Sequence, residues 1–137
     1  MAASKVLLDT NILSAIMKGS EAVMPKAREY LTEHGTFTFS IITRYEVLRG
    51  LKAKNAVAQA EAFDKLCAAS EVLGLSNDIV VKAAEVHATL RARGEPIGDA
   101  DILIEATALV QGLAVATDNE DHSRRIPSLT VENWLRG

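Results

Sequence analysis

Acids stand where short apolar runs end. Asp9 follows Val6, Leu7 and Leu8, and Asp118 follows the run 113–116 after a single Thr117. Glu46 falls early in a helical pattern, while Asp99 and Asp101 open another. Carboxylates gathered at one place repel and raise one another's pKa, so such a gathering makes sense chiefly around a divalent cation. Oxygen ligands without thiolates or imidazoles suit Mg²⁺ or Mn²⁺ rather than zinc. An ion of that kind lowers the pKa of bound water and stabilises the attacking and leaving oxygens of a phosphodiester. Metal-dependent hydrolysis of nucleic acid is the chemistry this pattern points to.

Each acid also has a local explanation. Asp after a strand makes an Asx turn, Glu46 three residues after Thr43 has the form of a capping box, and Asp at a helix start suits the positive end of the dipole. Only convergence in space separates the two readings. No Walker loop, HExxH or GxSxG signature offers a rival chemistry.

The elements that must position these acids follow from periodicity. Residues 6–8 form a short apolar run of the kind buried at the centre of a parallel sheet. Helices are expected over 12–17 and 21–33, with Gly35 stopping the second before a strand at 36–40. Apolar spacing predicts helices over 43–54, 55–69, 76–93 and 99–111, the last ended by Gly112. Strands over 113–116 and 129–131 complete the pattern. Alternating strands and helices predict an α/β fold, a small central parallel sheet flanked by helices. In such a sheet Asp9 and Asp118 lie at the carboxyl edge, where ligand crevices form.

A chain of 137 residues, 48% hydrophobic and 4% aromatic, has the size of one domain with an aliphatic core, expected to span 1–137. The net charge of −3 excludes a uniformly basic nucleic-acid binder but says nothing about local fields. Cys67 is the sole cysteine, and no Cys/His group has zinc spacing. Without a secretory signal or an apolar stretch of membrane-spanning length, a soluble, cytoplasmic protein is expected.

Four segments together carry a resemblance: LLDTN at 7–11, SIITRYEVLRG at 40–50, GEPIGDADILIEATALVQGLAVATDN at 94–119 and RIPSLTVENW at 125–134. The chain resembles the PIN-domain ribonucleases, more narrowly the VapC toxins of bacterial VapBC toxin–antitoxin pairs. The resemblance implies that Asp9, Glu46 and Asp101 are metal-binding and catalytic, with Asp118 where many relatives place a fourth acidic or polar ligand. Thr10, Asn11, Ser40 and Thr117 are then candidates to orient carboxylates or the attacking water, and Asp99 is either a helix cap or a further metal contact.

Two positions depart from the family pattern. Glu105 stands one turn after Asp101 where relatives carry a small residue, and is either an extra ligand or a solvated helix residue. Ser123 replaces a usual aromatic, which predicts looser packing under Asp118.

The resemblance further implies an endoribonuclease with Mg²⁺ or Mn²⁺ as cofactor, acting on structured RNA such as tRNA anticodon loops, including those of initiator tRNA. It implies a cognate VapB antitoxin and a homodimer, and no membrane partner. Arg44, Arg49, Lys52, Lys54, Arg124 and Arg125 are candidate phosphate contacts, or ordinary solvated charges. His122 is expected to be a surface residue, and Trp134 an apolar anchor for the tail. Two other readings stay open: a PIN scaffold that binds RNA or protein without catalysis, and an aspartyl-phosphate phosphotransfer enzyme, which needs its D-x-D directly after a strand.

Overall fold

In the computed structural model, which describes residues 5–136, the chain opens with β1 (Val6–Leu8), α1 (Thr10–Met17), α2 (Met24–His34) and β2 (Thr38–Ser40). It continues through α3 (Ile41–Ala53), α4 (Val57–Ala68), β3 (Glu71–Leu73) and α5 (Asn77–Ala92). The final part holds α6 (Asp99–Gln111), β4 (Ala114–Ala116), α7 (Glu120–Ser123) and β5 (Val131–Glu132). The sheet is five-stranded and parallel, in the order β3-β2-β1-β4-β5. It is the expected α/β architecture.

The order places β1 at the centre, with Leu8 opposite Phe39 of β2 on one side and opposite Ala116 of β4 on the other. The chain winds from β1 toward β3 and then returns to build β4 and β5 on the opposite flank. Such a reversal leaves a crevice beyond the carboxyl ends of the two strands where it occurs. Here those strands are β1 and β4, and the residues just beyond them are Asp9 and Thr117.

Burial on both faces explains the unbroken apolar run of β1. Val6 and Leu8 pack with Ile12, Leu13, Tyr30, Phe39 and Phe63, while Leu7 packs on the other side with Ile104, Ala108 and Val115. A third cluster joins α5 to α6 through Ile79, Val86, Leu90, Ile102 and Ala106. The Tyr30 hydroxyl accepts the Val6 N–H at 3.1 Å and its ring lies 5.3 Å from that of Trp134, so the tail is anchored as expected.

Several boundaries differ from expectation. The second helix begins at Met24 rather than residue 21, because Pro25 occupies its first turn, where a missing N–H costs nothing. The third begins at Ile41, capped by Ser40, whose hydroxyl accepts the Ile42 N–H at 3.0 Å. The expected Thr43/Glu46 capping box therefore does not form. Strand β3 was not expected: three residues between two helices, only partly buried at a sheet edge, carry no readable period. Gly35 and Gly112 end α2 and α6 at φ of 77° and 68°, the left-handed conformation glycine adopts freely.

Candidate metal centre

The backbone hands Asp9 to the crevice. Its N–H continues the sheet by donating to the Ala116 carbonyl at 2.8 Å, and its φ and ψ of −74° and 162° then turn the chain into α1. The carboxylate is 7% exposed and doubly held: Oδ1 accepts the Thr10 N–H at 2.7 Å and Oδ2 accepts the Thr117 hydroxyl at 2.7 Å. Thr117 in turn accepts the Asn119 N–H at 3.0 Å. Burial pushes the Asp9 pKa up; the two hydrogen bonds oppose this, and the charges of Asp101 and Glu46 add to it.

Glu46 comes from the second turn of α3. Because the helix starts at Ile41, its side chain is free of any capping role, and Oε1 accepts the Thr10 hydroxyl at 2.7 Å. Thr10 also lies 3.1 Å from the buried Thr43 hydroxyl, so α1 and α3 are tied at the crevice. Arg49, one turn on, brings Nη2 to 3.7 Å from Glu46 Oε2 while stacking its guanidinium 5.2 Å from the Tyr45 ring.

Asp101, in the first turn of α6, has its pKa raised by burial and by the charge of Glu46, and lowered by His122. His122, expected at the surface, is half-buried, and its Nδ1 lies 2.8 Å from the Asn119 amide. Three carboxylates from three elements, Asp9, Glu46 and Asp101, thus stand in one electrostatic field.

The remaining expectations divide. Asp118 is exposed: its Oδ1 accepts the Asn133 amide at 3.1 Å, and its N–H is fixed by Asn11 Oδ1 at 3.2 Å. No described interaction ties its carboxylate to the other acids. Asp99 is exposed in the first turn of α6, and the cap position belongs to Gly98. Ser40 acts through the start of α3 and Asn11 through the loop of Asp118, whereas Thr10 and Thr117 touch the acids themselves. The D-x-D formed by Asp99 and Asp101 opens a helix rather than following a strand, the wrong setting for an aspartyl phosphate.

Of the two readings of Glu105, an extra ligand or a solvated helix residue, the second is overturned. Far from solvated, Glu105 is 2% exposed, and the Ser123 hydroxyl donates to its Oε1. Ser123, where relatives carry an aromatic, is fully buried with its hydroxyl engaged. Burial raises the Glu105 carboxyl to about 7; the Ser123 bond opposes the rise, and the charges of Asp9 and Asp101 add to it. The signal was present: position 105 is the sole charge in the stretch 102–111 and falls between the buried residues Ile102, Ile104, Ala106 and Ala108.

Several candidate phosphate contacts are engaged elsewhere. Arg44 pairs with Asp64 at 3.0 Å and lies 5.8 Å from the Phe63 ring; Arg124 pairs with Glu120 at 2.8 Å, and Arg125 with Glu95 at 3.8 Å.

Among the described residues no three His, Cys, Asp or Glu side chains converge into a ready cage for an ion. The donor set of Asp9, Glu46 and Asp101 fits a hard divalent cation, all oxygens on separate elements, and close by one buried carboxylate oxygen, Glu105 Oε2, is left without a hydrogen-bond partner.

The sequence model of the PIN domain matches residues 6–126. The chain belongs to the PIN-domain family. The PIN domain is 28% identical over 123 residues to a protein named ribonuclease VapC1 from Methanocaldococcus jannaschii, covering 90% of this chain and 82% of that one. It is also 28% identical over 134 residues to the tRNA(fMet)-specific endonuclease VapC of Salmonella typhimurium, covering 95% and 98%. Among solved structures, the VapBC2 complex of Rickettsia felis bound to a promoter DNA fragment contains a chain superposing at a TM-score of 0.84 with 25% identity, over 94% of this chain and 98% of that one. The VapBC-1 structure from nontypeable Haemophilus influenzae gives 0.83 with 27% identity, over 94% and 97%.

Proposed function

We propose that this PIN domain, a single domain over 1–137, is a divalent-metal-dependent endoribonuclease of the VapC type, the toxin of a VapBC pair, neutralised by a VapB antitoxin. One observation carries the reading: Asp9, Glu46 and Asp101 share one electrostatic field at the sheet's reversal point, and burial and mutual repulsion raise the pKa of Asp9 and Asp101. The names of the relatives support the same chemistry, and the VapBC structures support an antitoxin partner.

Asp9, Glu46 and Asp101 would hold Mg²⁺ or Mn²⁺, with Asp118 joining if its loop turns inward from Asn133. The ion supplies an activated water and charge stabilisation for in-line hydrolysis of a phosphodiester. Thr117 and Thr10 keep the Asp9 and Glu46 carboxylates oriented, and Arg49, 60% exposed beside Glu46, is placed to meet an RNA phosphate. A structured RNA, with tRNA anticodon loops foremost, is the substrate class suggested by the tRNA(fMet)-specific relative. The reading places the protein in the cytoplasm as a homodimer; no described helix is long and apolar enough to cross a membrane.

Purified, antitoxin-free protein incubated with a total tRNA pool tests this reading. Discrete fragments with Mg²⁺ or Mn²⁺, lost with EDTA and with Asp9→Asn, are expected. Intact RNA in every lane from folded, metal-loaded protein would favour the non-catalytic binding scaffold.

A further inference from the structure

Glu105 has no part in the three-acid site described above, yet it is the most deeply buried acid in the neighbourhood. It lies one helical turn beyond Asp101 on α6, so the two side chains project from the same side of the helix. The residues around it, Ile104, Ala106, Thr107 and Ala108, are completely buried. The helix therefore places a carboxylate inside the core, where apolar residues would pack at no electrostatic cost.

The core is adapted to that carboxylate on one side only. Ser123 of α7 is fully buried and spends its hydroxyl on Glu105 Oε1, while the buried Thr107 hydroxyl is satisfied within its own helix by the Leu103 carbonyl at 2.8 Å. Oε2 is buried and has no partner among the described residues. Its charged neighbours are Asp9 and Asp101, both of its own sign. No lysine or arginine is described in an ion pair with it. A buried carboxylate with one fixed oxygen, one free oxygen and two acids for company has the form of a half-built binding site. What it lacks is positive charge.

We infer that Glu105, pinned by Ser123, is an additional carboxylate of the cation centre, its free Oε2 serving the ion from the core side while Asp9 and Asp101 serve it from the crevice. The inference rests on the proposed cation site and adds to it a residue recruited from within α6. In this arrangement the ion offsets four carboxylates at once, Glu46 included, and Ser123 fixes which Glu105 oxygen is offered. Removing either group weakens the hold on the ion without touching the crevice.

Calorimetric titration of Mn²⁺ into the metal-free full chain, with no RNA present, tests this on wild type, Glu105→Gln, Ser123→Ala and Asp101→Asn. Melting in EDTA is measured beside it. Glu105→Gln is expected to bind Mn²⁺ about tenfold more weakly or worse, while its metal-free melting temperature equals or exceeds that of wild type, since a buried charge has gone. Ser123→Ala is expected to show a smaller loss in the same direction, and it carries the test alone if Glu105→Gln fails to fold. Wild-type affinity in both variants, with Asp101→Asn impaired, overturns this inference and leaves the three-acid site standing. Weakened binding matched by an equal loss of metal-free stability also overturns it. A wild type that takes up no Mn²⁺ overturns the cation site itself.

Discussion

At the scale of single residues, the chemistry hangs on how charge is buried. Asp9 keeps two hydrogen bonds, from Thr10 and Thr117, that hold its carboxylate in place against burial and two like charges. Thr117→Val leaves Oδ2 without its donor and is expected to cost about 1–3 kcal/mol, read as a lower urea midpoint. Glu105 gives a pH dependence of opposite sense to the usual carboxylate. Its folded pKa, about 7, lies above the ordinary 4.5. The folded state then binds more protons than the unfolded one between those values, so metal-free stability falls as pH rises through that window. Asp9 and Asp101, also raised, act in the same direction. In EDTA, wild type is expected to lose about 3 kcal/mol more than Glu105→Gln from pH 4.5 to pH 7; parallel curves in urea melts would show that Glu105 carries no such burden.

Elements decide where those residues point, and here the start of α3 matters most. Thr43 and Glu46 spell a capping box in the sequence, yet Ser40 caps the helix and leaves Thr43 buried against Thr10. The ambiguity is physical: both Ser40 and Thr43 can cap, and the choice depends on Ile41 and Ile42 entering the helix, which tertiary packing decides. Ser40→Ala is expected to cost about 1 kcal/mol and to weaken catalysis through the tilt of Glu46. Unaltered cleavage in a destabilised variant would separate the cap from the site. Strand β3 stayed illegible for a related reason, since an edge strand of one exposed and two partly buried residues has neither length nor alternation to read. The long helices and the buried strands β1 and β4 were legible because periodicity and apolar runs report burial directly.

For the molecule as a whole, sheet order turns distant acids into one site. Asp9 and Asp101 stand far apart in the chain, and the reversal at β1 and β4 brings them within electrostatic reach, which strand-by-strand reading foresaw from their places at strand ends and helix starts. Not legible was which acids point inward: Asp118 faces Asn133 at the surface, while Glu105, readable as an extra ligand or a solvated residue, lies in the core. On the proposed reading, Asp9, Glu46 and Asp101 close around one divalent ion at this reversal point. Crystals of the antitoxin-free protein soaked in Mn²⁺ and measured at the manganese absorption edge test it directly. An anomalous peak between Asp9 and Asp101, with Glu46 drawn toward it, is expected. A well-ordered Mn²⁺ bound elsewhere, or a crevice without a peak at saturating Mn²⁺, would contradict it.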